Sequence, residues 1–184
     1  MKGPFARSRG VETITAPSRE APAEADLAFE QLYRESRDDL YAYLGGMLRD
    51  RSAAEEVTAS VFERAYRKRR HFDPERGQAR AWLFGIARNA ALDELRRRRR
   101  QSQLTGDPAD LESAATDAHA EHSARRATVA AALAELAPRD RELVALKYFA
   151  GLSNAEVATV LGISESNAGT KLHRVLTELR KACR

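Results

Sequence analysis

The stretch "LSNAEVATVLGISESNAGTKLHRVL", residues 152–176, holds two helices and the turn between them. Ser153 followed three residues later by Glu156 is a capping box, which starts a helix. Gly162 ends it, because glycine takes positive φ without a Cβ penalty. Ser164 is placed to cap the next helix, which the pattern carries to about residue 181. Val157, Val160, Leu161, Ile163, Leu172, Val175 and Leu176 form a shared core, and the small Ala158, Gly162 and Ala168 let the two helices cross closely. This is the signature of a helix-turn-helix. The residues left facing outward on its second helix are Ser164, Glu165, Ser166, Asn167, Thr170, Lys171, His173 and Arg174. They are short and polar at the N-terminal end and basic further on. A DNA-reading helix puts its first residues against base edges and its later basic residues against phosphates. An ordinary helical hairpin with a polar face is the competing reading, and the joint pattern of caps, turn and charge favours DNA. Gly169 stands inside this helix at a cost of about 1 kcal/mol relative to alanine. One reading is that its missing side chain lets the backbone approach DNA or a neighbouring helix; the other is tolerated drift.

Upstream, residues 125–137 read as an Ala-rich helix. Pro138 suits the first turn of the next, which carries Leu143, Val144, Leu146, Tyr148 and Phe149 and stops at Gly151. Residues 125–184 therefore form one small helical domain. Residues 102–124 are Ser, Thr, Asp, Ala and Pro, too long for a loop inside a compact domain, and predict a flexible acidic linker. Residues 25–101 show helical periodicity again. Phe29, Leu32, Tyr33, Leu40, Leu44, Met47 and Leu48 form one stripe, with Gly45-Gly46 expected to weaken or bend the helix end. Ser52 and Glu55 match a second capping box, ahead of Val57, Val61, Phe62 and Ala65. "HFDPERGQAR" breaks the pattern as an Arg-rich loop, and a third helix places Trp82, Leu83, Ile86, Ala87, Ala90 and Leu95 at helical spacing. Residues 1–24 carry Pro and Gly without apolar period and read as a disordered extension. The fold class is all-α, two small helical domains joined by a linker.

The 184 residues carry a net charge of +4, and the distribution matters more than the sum. Arg64 to Arg70, Arg96 to Arg100 and Lys171 to Arg184 are basic clusters on helical segments, while 101–124 holds acids and no Lys or Arg. Such patches fit a polyanion partner or, blandly, solvated helix faces. Cys183 is the only cysteine, so neither an intrachain disulfide nor a Cys-rich metal site is available. His119 and His122 lie in the polar linker and are not expected to bind metal. No cofactor motif appears. There is no apolar run for a signal peptide or membrane span, so a cytoplasmic protein without membrane insertion is expected. No carboxylate cluster, phosphate-cradling Gly loop or Ser/Cys nucleophile beside a His supports an enzyme.

The two halves together resemble an alternative sigma factor of bacterial RNA polymerase, of the extracytoplasmic-function (ECF) group in the sigma-70 family. The resemblance rests on "FEQLYRESRDDLYAYL", "DRSAAEEVTASVFERAYR" and "ARAWLFGIARNAALDELRRRRR" for the family's region 2. "LAELAPRDRELVALKYFAGLSNAEVATVLGISESNAGTKLHRVLTELR" carries it for region 4. It implies a protein that binds polymerase core and directs initiation at promoters with −10 and −35 elements. By that resemblance Asp50, Glu55, Glu56, Thr58 and Phe62 dock on the polymerase. Phe72, Arg76, Arg80, Trp82 and Asn89 read the partly single-stranded −10 element, with Arg88, Arg96 and Arg97 on its phosphates. The outward residues of the last helix, Ser164 to Arg174 as named above, read the duplex −35 element. Phe62 and Trp82 also fall at core spacing, so each has two readings. The family pattern usually has a branched apolar residue and a Lys or Arg where this chain has Ala168 and Gly169, and a Thr where it has Asn167, which leaves the −35 consensus open. An anti-sigma factor is a further partner implied by the resemblance. The alternative is a stand-alone helix-turn-helix regulator with an N-terminal sensor, for which the first half lacks any strand pattern.

Overall fold

The computed structural model describes residues 22–74, 78–105 and 120–183. Seven helices follow one another among them: α1 (Pro22–Leu48), α2 (Arg51–Lys68), α3 (Ala79–Thr105), α4 (Ala120–Glu135), α5 (Pro138–Val144), α6 (Asn154–Leu161) and α7 (Glu165–Ala182). A 3-10 turn over Arg69–His71 closes α2, and a single π-helical turn over Ala145–Phe149 extends α5. No strand occurs among the described residues. The extension assigned to residues 1–24 lies outside the described residues up to position 21, and α1 already begins at Pro22. The stretch 102–124 is shortened at both ends: α3 runs on to Thr105 and α4 starts at Ala120. Residues 106–119, with His119, lie outside the described residues.

α1, α2 and α3 pack on one another through Leu40, Tyr43, Leu44, Leu48, Val61, Phe62, Leu83 and Phe84, all buried. Tyr43 and Phe84 meet edge to face, ring centroids 5.7 Å apart, the geometry that aromatic quadrupoles favour. The start of α2 corrects the sequence expectation. Asp50, not Ser52, is the N-cap; its carboxylate accepts the Ala53 N–H at 3.0 Å, and Ser52 already lies inside the helix. Asp50 wins because Arg49, at φ +53°, ends α1 in the left-handed region and leaves the next residue extended, as a cap requires. α1 runs through Gly45-Gly46 and ends at Leu48.

In the second half the caps form as read. Ser153 and Glu156 make the reciprocal capping box, and Ser164 accepts the Asn167 N–H at 3.3 Å. Gly162 takes φ +66°, with the Ile163 N–H reaching back to the Ala158 carbonyl at 3.0 Å. Gly151 takes φ +63° after the π turn. Arg141 holds the end of α4: its guanidinium donates to the carbonyls of Leu133, Ala134 and Leu136, groups a helix C-terminus leaves unpaired. The two halves also meet. α1 packs on the π turn and α3 on α6, so the buried residues of both domains join in one hydrophobic cluster.

Candidate nucleic-acid interface

α7 is anchored by its apolar stripe. Ala168, Leu172 and Val175 are buried against α5 and α6. Helical period then turns Ser164, Glu165, Ser166, Asn167, Thr170, His173 and Arg174 to solvent, and all of them are exposed; Lys171 is half-buried. Thr170 donates its hydroxyl to the Ser166 carbonyl at 3.0 Å, which orders the first turns. Arg174 lies 3.7 Å from Asp140 with its side chain 59% exposed, a loose pair that leaves the guanidinium available. Gly169 is half-buried, and a Cβ there would meet only the Asn154 Nδ2, at 3.7 Å. That is ordinary contact, so packing against α6 does not require a glycine, and close approach to a neighbouring helix is not its explanation.

The candidate −10 residues do not form one surface. At 100° per residue, Arg80 and Arg88 point to one side of α3, and Trp82 and Asn89 to the other. Trp82 is half-buried and packs on Phe72, centroids 5.3 Å apart; Asn89 is exposed. Arg76 lies outside the described residues. Arg80 donates to the Ala150 carbonyl of the second domain and pairs with Asp39 of α1, within its own domain, at 2.6 Å. Arg88 does the same: its Nε lies 2.7 Å from Glu142 Oε1, and its Nη2 donates to Oε2 at 3.4 Å. Arg96 pairs with Asp93 at 3.1 Å and Arg97 with Glu94 at 2.7 Å. Arg98 bridges Glu94 and Asp50, at 2.7 and 2.8 Å. Hydrogen bonds from Arg97 and then Arg98 hold the Glu94 carboxyl down at about 2 against the opposing effect of burial. The arginine run is thus a partly neutralised surface, with Arg99 and Arg100 exposed at its end.

On α2, Glu55 and Glu56 are exposed, Glu55 3.5 Å from Arg51. Asp50 is engaged as a cap and by Arg98, and its carboxyl is held below the ordinary range chiefly by the Ala53 N–H. Thr58 donates to the Ala54 carbonyl at 2.6 Å. Phe62 is buried, edge-on to Tyr33 with centroids 4.6 Å apart, so its packing reading holds and its ring is not a free docking group.

Sequence reasoning did not place Glu142, Tyr43 or Gly46 at the seam between the domains. Glu142 is buried at the domain seam beside Tyr43, whose hydroxyl is pushed up by burial and by that carboxylate. Gly46 faces the Phe149 ring so closely that a Cβ would come within 2.6 Å of it. A lone acid in the apolar run "ELVAL" was the only signal available for Glu142, Gly46 was legible only as half of a weak helix end, and nothing local marked Tyr43.

Two family descriptions match the chain: Sigma-70 region 2 over residues 32–101, and Sigma-70 region 4 over residues 126–179. The ECF RNA polymerase sigma factor SigL of Mycobacterium tuberculosis is 33% identical over 162 residues, covering 87% of this chain and 90% of SigL. The chain belongs to the ECF sigma factors of RNA polymerase. The Streptomyces coelicolor ECF sigma factor BldN is 31% identical over 182 residues, 97% of this chain and 68% of BldN. The Bartonella quintana sigma factor RpoE, solved with the anti-sigma factor NepR, shares the fold. Its TM-score is 0.70 at 22% identity, covering 84% of this chain and 96% of RpoE. As an alternative sigma factor the protein binds RNA polymerase core and directs promoter-specific initiation; sigma factors are initiation factors, not enzymes. A stand-alone regulator would account for region 4 alone and leaves the region 2 match over α1 to α3 unexplained. No described helix is long and apolar enough to cross a membrane.

Proposed function

We propose that this sigma factor divides its work among three helices. α7 reads the duplex −35 element, with Ser164 to Asn167 at base edges and Thr170, Lys171, His173 and Arg174 towards the backbone. The observation that carries this reading is the continuous exposed polar face of α7 over a fully buried Ala168. α3, with the loop before it, reads the −10 element through its Trp82 and Asn89 side, with Phe72 and Arg76 in the loop. Arg96 and Arg97 hold phosphates, and Arg80 and Arg88 join only once they are released from the second domain. α2 docks on polymerase through Glu55, Glu56 and the neighbouring Asp50 and Thr58, with Phe62 supporting that face from within; an acidic surface suits a basic partner groove. A cytoplasmic location and an anti-sigma factor that covers these surfaces complete the reading, in keeping with the complex of RpoE with the anti-sigma factor NepR.

The test is transcription in vitro with purified core polymerase on genomic fragments. The expected result is initiation at discrete promoters that depends on this protein. A stable complex with core that starts nowhere specifically would defeat the reading. Lys171→Ala and Arg174→Ala separate the roles: each should weaken −35 duplex binding across sequences and lower the salt slope by about 1, with core binding intact. Equal loss of core binding would remove α7 from the DNA assignment.

A further inference from the structure

Arg49 and Arg141 come from different elements and meet at one cavity of about 590 Å³. It lies where α4 and the π turn flank the end of α1 and the start of α2. Tyr41, Gly45 and Gly46 line it from α1, Leu133 from α4 and Phe149 from the π turn. That volume is in the range of pockets that hold small molecules.

Two features of the cavity go beyond what folding requires. The first is charge. Among the described residues, neither Arg49 nor Arg141 is paired with a carboxylate. Arg49 donates to the Ala130 carbonyl at a long 3.4 Å, and Arg141 donates through Nε and Nη2 to the carbonyls at the end of α4. Burial first, and the Arg49 guanidinium second, push Arg141 below its ordinary value, so the two cations repel each other. Asp50 also lines the cavity, but its carboxylate is held by the Ala53 N–H and by Arg98. Arg51 adds a third guanidinium, exposed and 3.5 Å from Glu55. The second feature is the backbone. Among the described residues Arg49 is the only non-glycine at positive φ, +53°. Glycine would make that turn without strain; the arginine adds a cation to the cavity.

The lining suits a flat group. Gly45 faces open space, where a Cβ would meet nothing within 4 Å. The Phe149 ring lies over Gly46 and stays 37% exposed, and Tyr41 is half-buried beside the same cavity. Guanidinium forks bind phosphate oxygens in pairs, and aromatic faces take planar rings.

We propose that this cavity binds a nucleoside diphosphate, with its phosphoryl groups on Arg49 and Arg141 and its base against Phe149 and Tyr41 beside Gly45. The bound anion relieves the repulsion between the two arginines, so the ligand stabilises the folded protein. Arg49, Arg141, Tyr41, Gly45 and Phe149 take no part in the −10, −35 or polymerase contacts assigned above.

The test is isothermal titration calorimetry on the full chain at low salt, without polymerase or DNA, using ADP, GDP, CDP and UDP as probes. The expected result is one site for at least one of them, with pyrophosphate bound about tenfold more weakly or worse. Arg49→Gly should lower that affinity by about tenfold or more, yet leave the melting temperature of the free protein unchanged or higher, because glycine suits φ +53°. An arginine that served only the fold would show the opposite pattern. Gly45→Leu should fill the cavity and block binding, with no loss of melting temperature, since leucine is the better helix former. Arg100→Ala removes an exposed cation at the end of α3 and should leave binding unchanged. No heat of binding with any of the four nucleotides at about 1 mM would overturn the site. So would pyrophosphate binding as tightly as the best nucleotide, which would mark an adventitious ion only. Equal losses in Arg100→Ala and Arg49→Gly would also overturn it, as general attraction to a basic surface. Promoter-specific initiation is scored separately, so a protein that initiates and binds no nucleotide here loses the site and keeps its function.

Discussion

The basic side chains of α3 and α7 look alike in sequence and are used differently in the fold. On α7, Arg174 has only a loose 3.7 Å pair, and its neighbours face solvent. On α3, Arg80, Arg88, Arg96, Arg97 and Arg98 all have acidic partners within 3.2 Å. α7 lies at the outer side of its domain and packs by one stripe. α3 is wedged between α1, α2 and α6, and its arginines meet carboxylates of α1, of α5 and of the α2 cap as well as Asp93 and Glu94 of α3 itself. A charge run records how many cations a helix carries. Whether they are available depends on what packs around it.

That contrast can be broken by mutation, and the largest effect belongs to the wedged helix. Phe84 is fully buried against Tyr43, so Phe84→Ala should cost about 3–5 kcal/mol in denaturant unfolding. A loss below about 1 kcal/mol would show that α3 is not the central helix its packing implies. An intermediate effect should come from Glu94→Gln, which takes the carboxylate from Arg97 and leaves Arg98 with Asp50 alone, and should cost about 1–3 kcal/mol near neutral pH. The Glu94 carboxyl is held down in the folded protein, so the folded state binds fewer protons than the unfolded one in acid. Its contribution is complete above the ordinary carboxylate range and is lost as pH falls towards about 2. Stability measured from neutral pH downward should therefore fall less steeply for Glu94→Gln than for the wild type; parallel curves would mean that the pair is not formed in solution. The smallest effect is expected on α7. Gly169→Ala should raise stability by up to about 1 kcal/mol, because the added Cβ meets only Asn154 at 3.7 Å. An accompanying loss of −35 affinity would show that DNA needs the space that the protein does not.

The two glycine sites sharpen the same lesson. Gly169 stands out in sequence because it interrupts a helix, yet no packing demand explains it. Gly46 reads as half of a weak helix end, yet it seats the Phe149 ring from more than a hundred residues away. Local pattern scores a glycine by helix propensity, a property of the chain within a few residues. A close approach from another domain leaves no local trace. The caps show the same boundary. Ser153 and Ser164 were legible because their partners lie three residues on. Asp50 displaced Ser52 because the left-handed turn at Arg49, between two packed helices, decides where α2 begins.

The sequence by itself determined the all-helical class, the helix-turn-helix with its Gly162 turn, the polar outward face of α7 and the family. Each depends on periodicity, on interactions within a few residues, or on motifs contiguous in the chain. Only the tertiary structure decided that Arg80 and Arg88 of α3 are engaged, that Phe62 belongs to the core and that the two domains close on Glu142 and Phe149. Those outcomes depend on side chains brought together from 29 to 103 positions apart, such as Tyr33 with Phe62 and Gly46 with Phe149. Pairings at that separation are chosen by the packing of whole helices, which no short window of sequence contains.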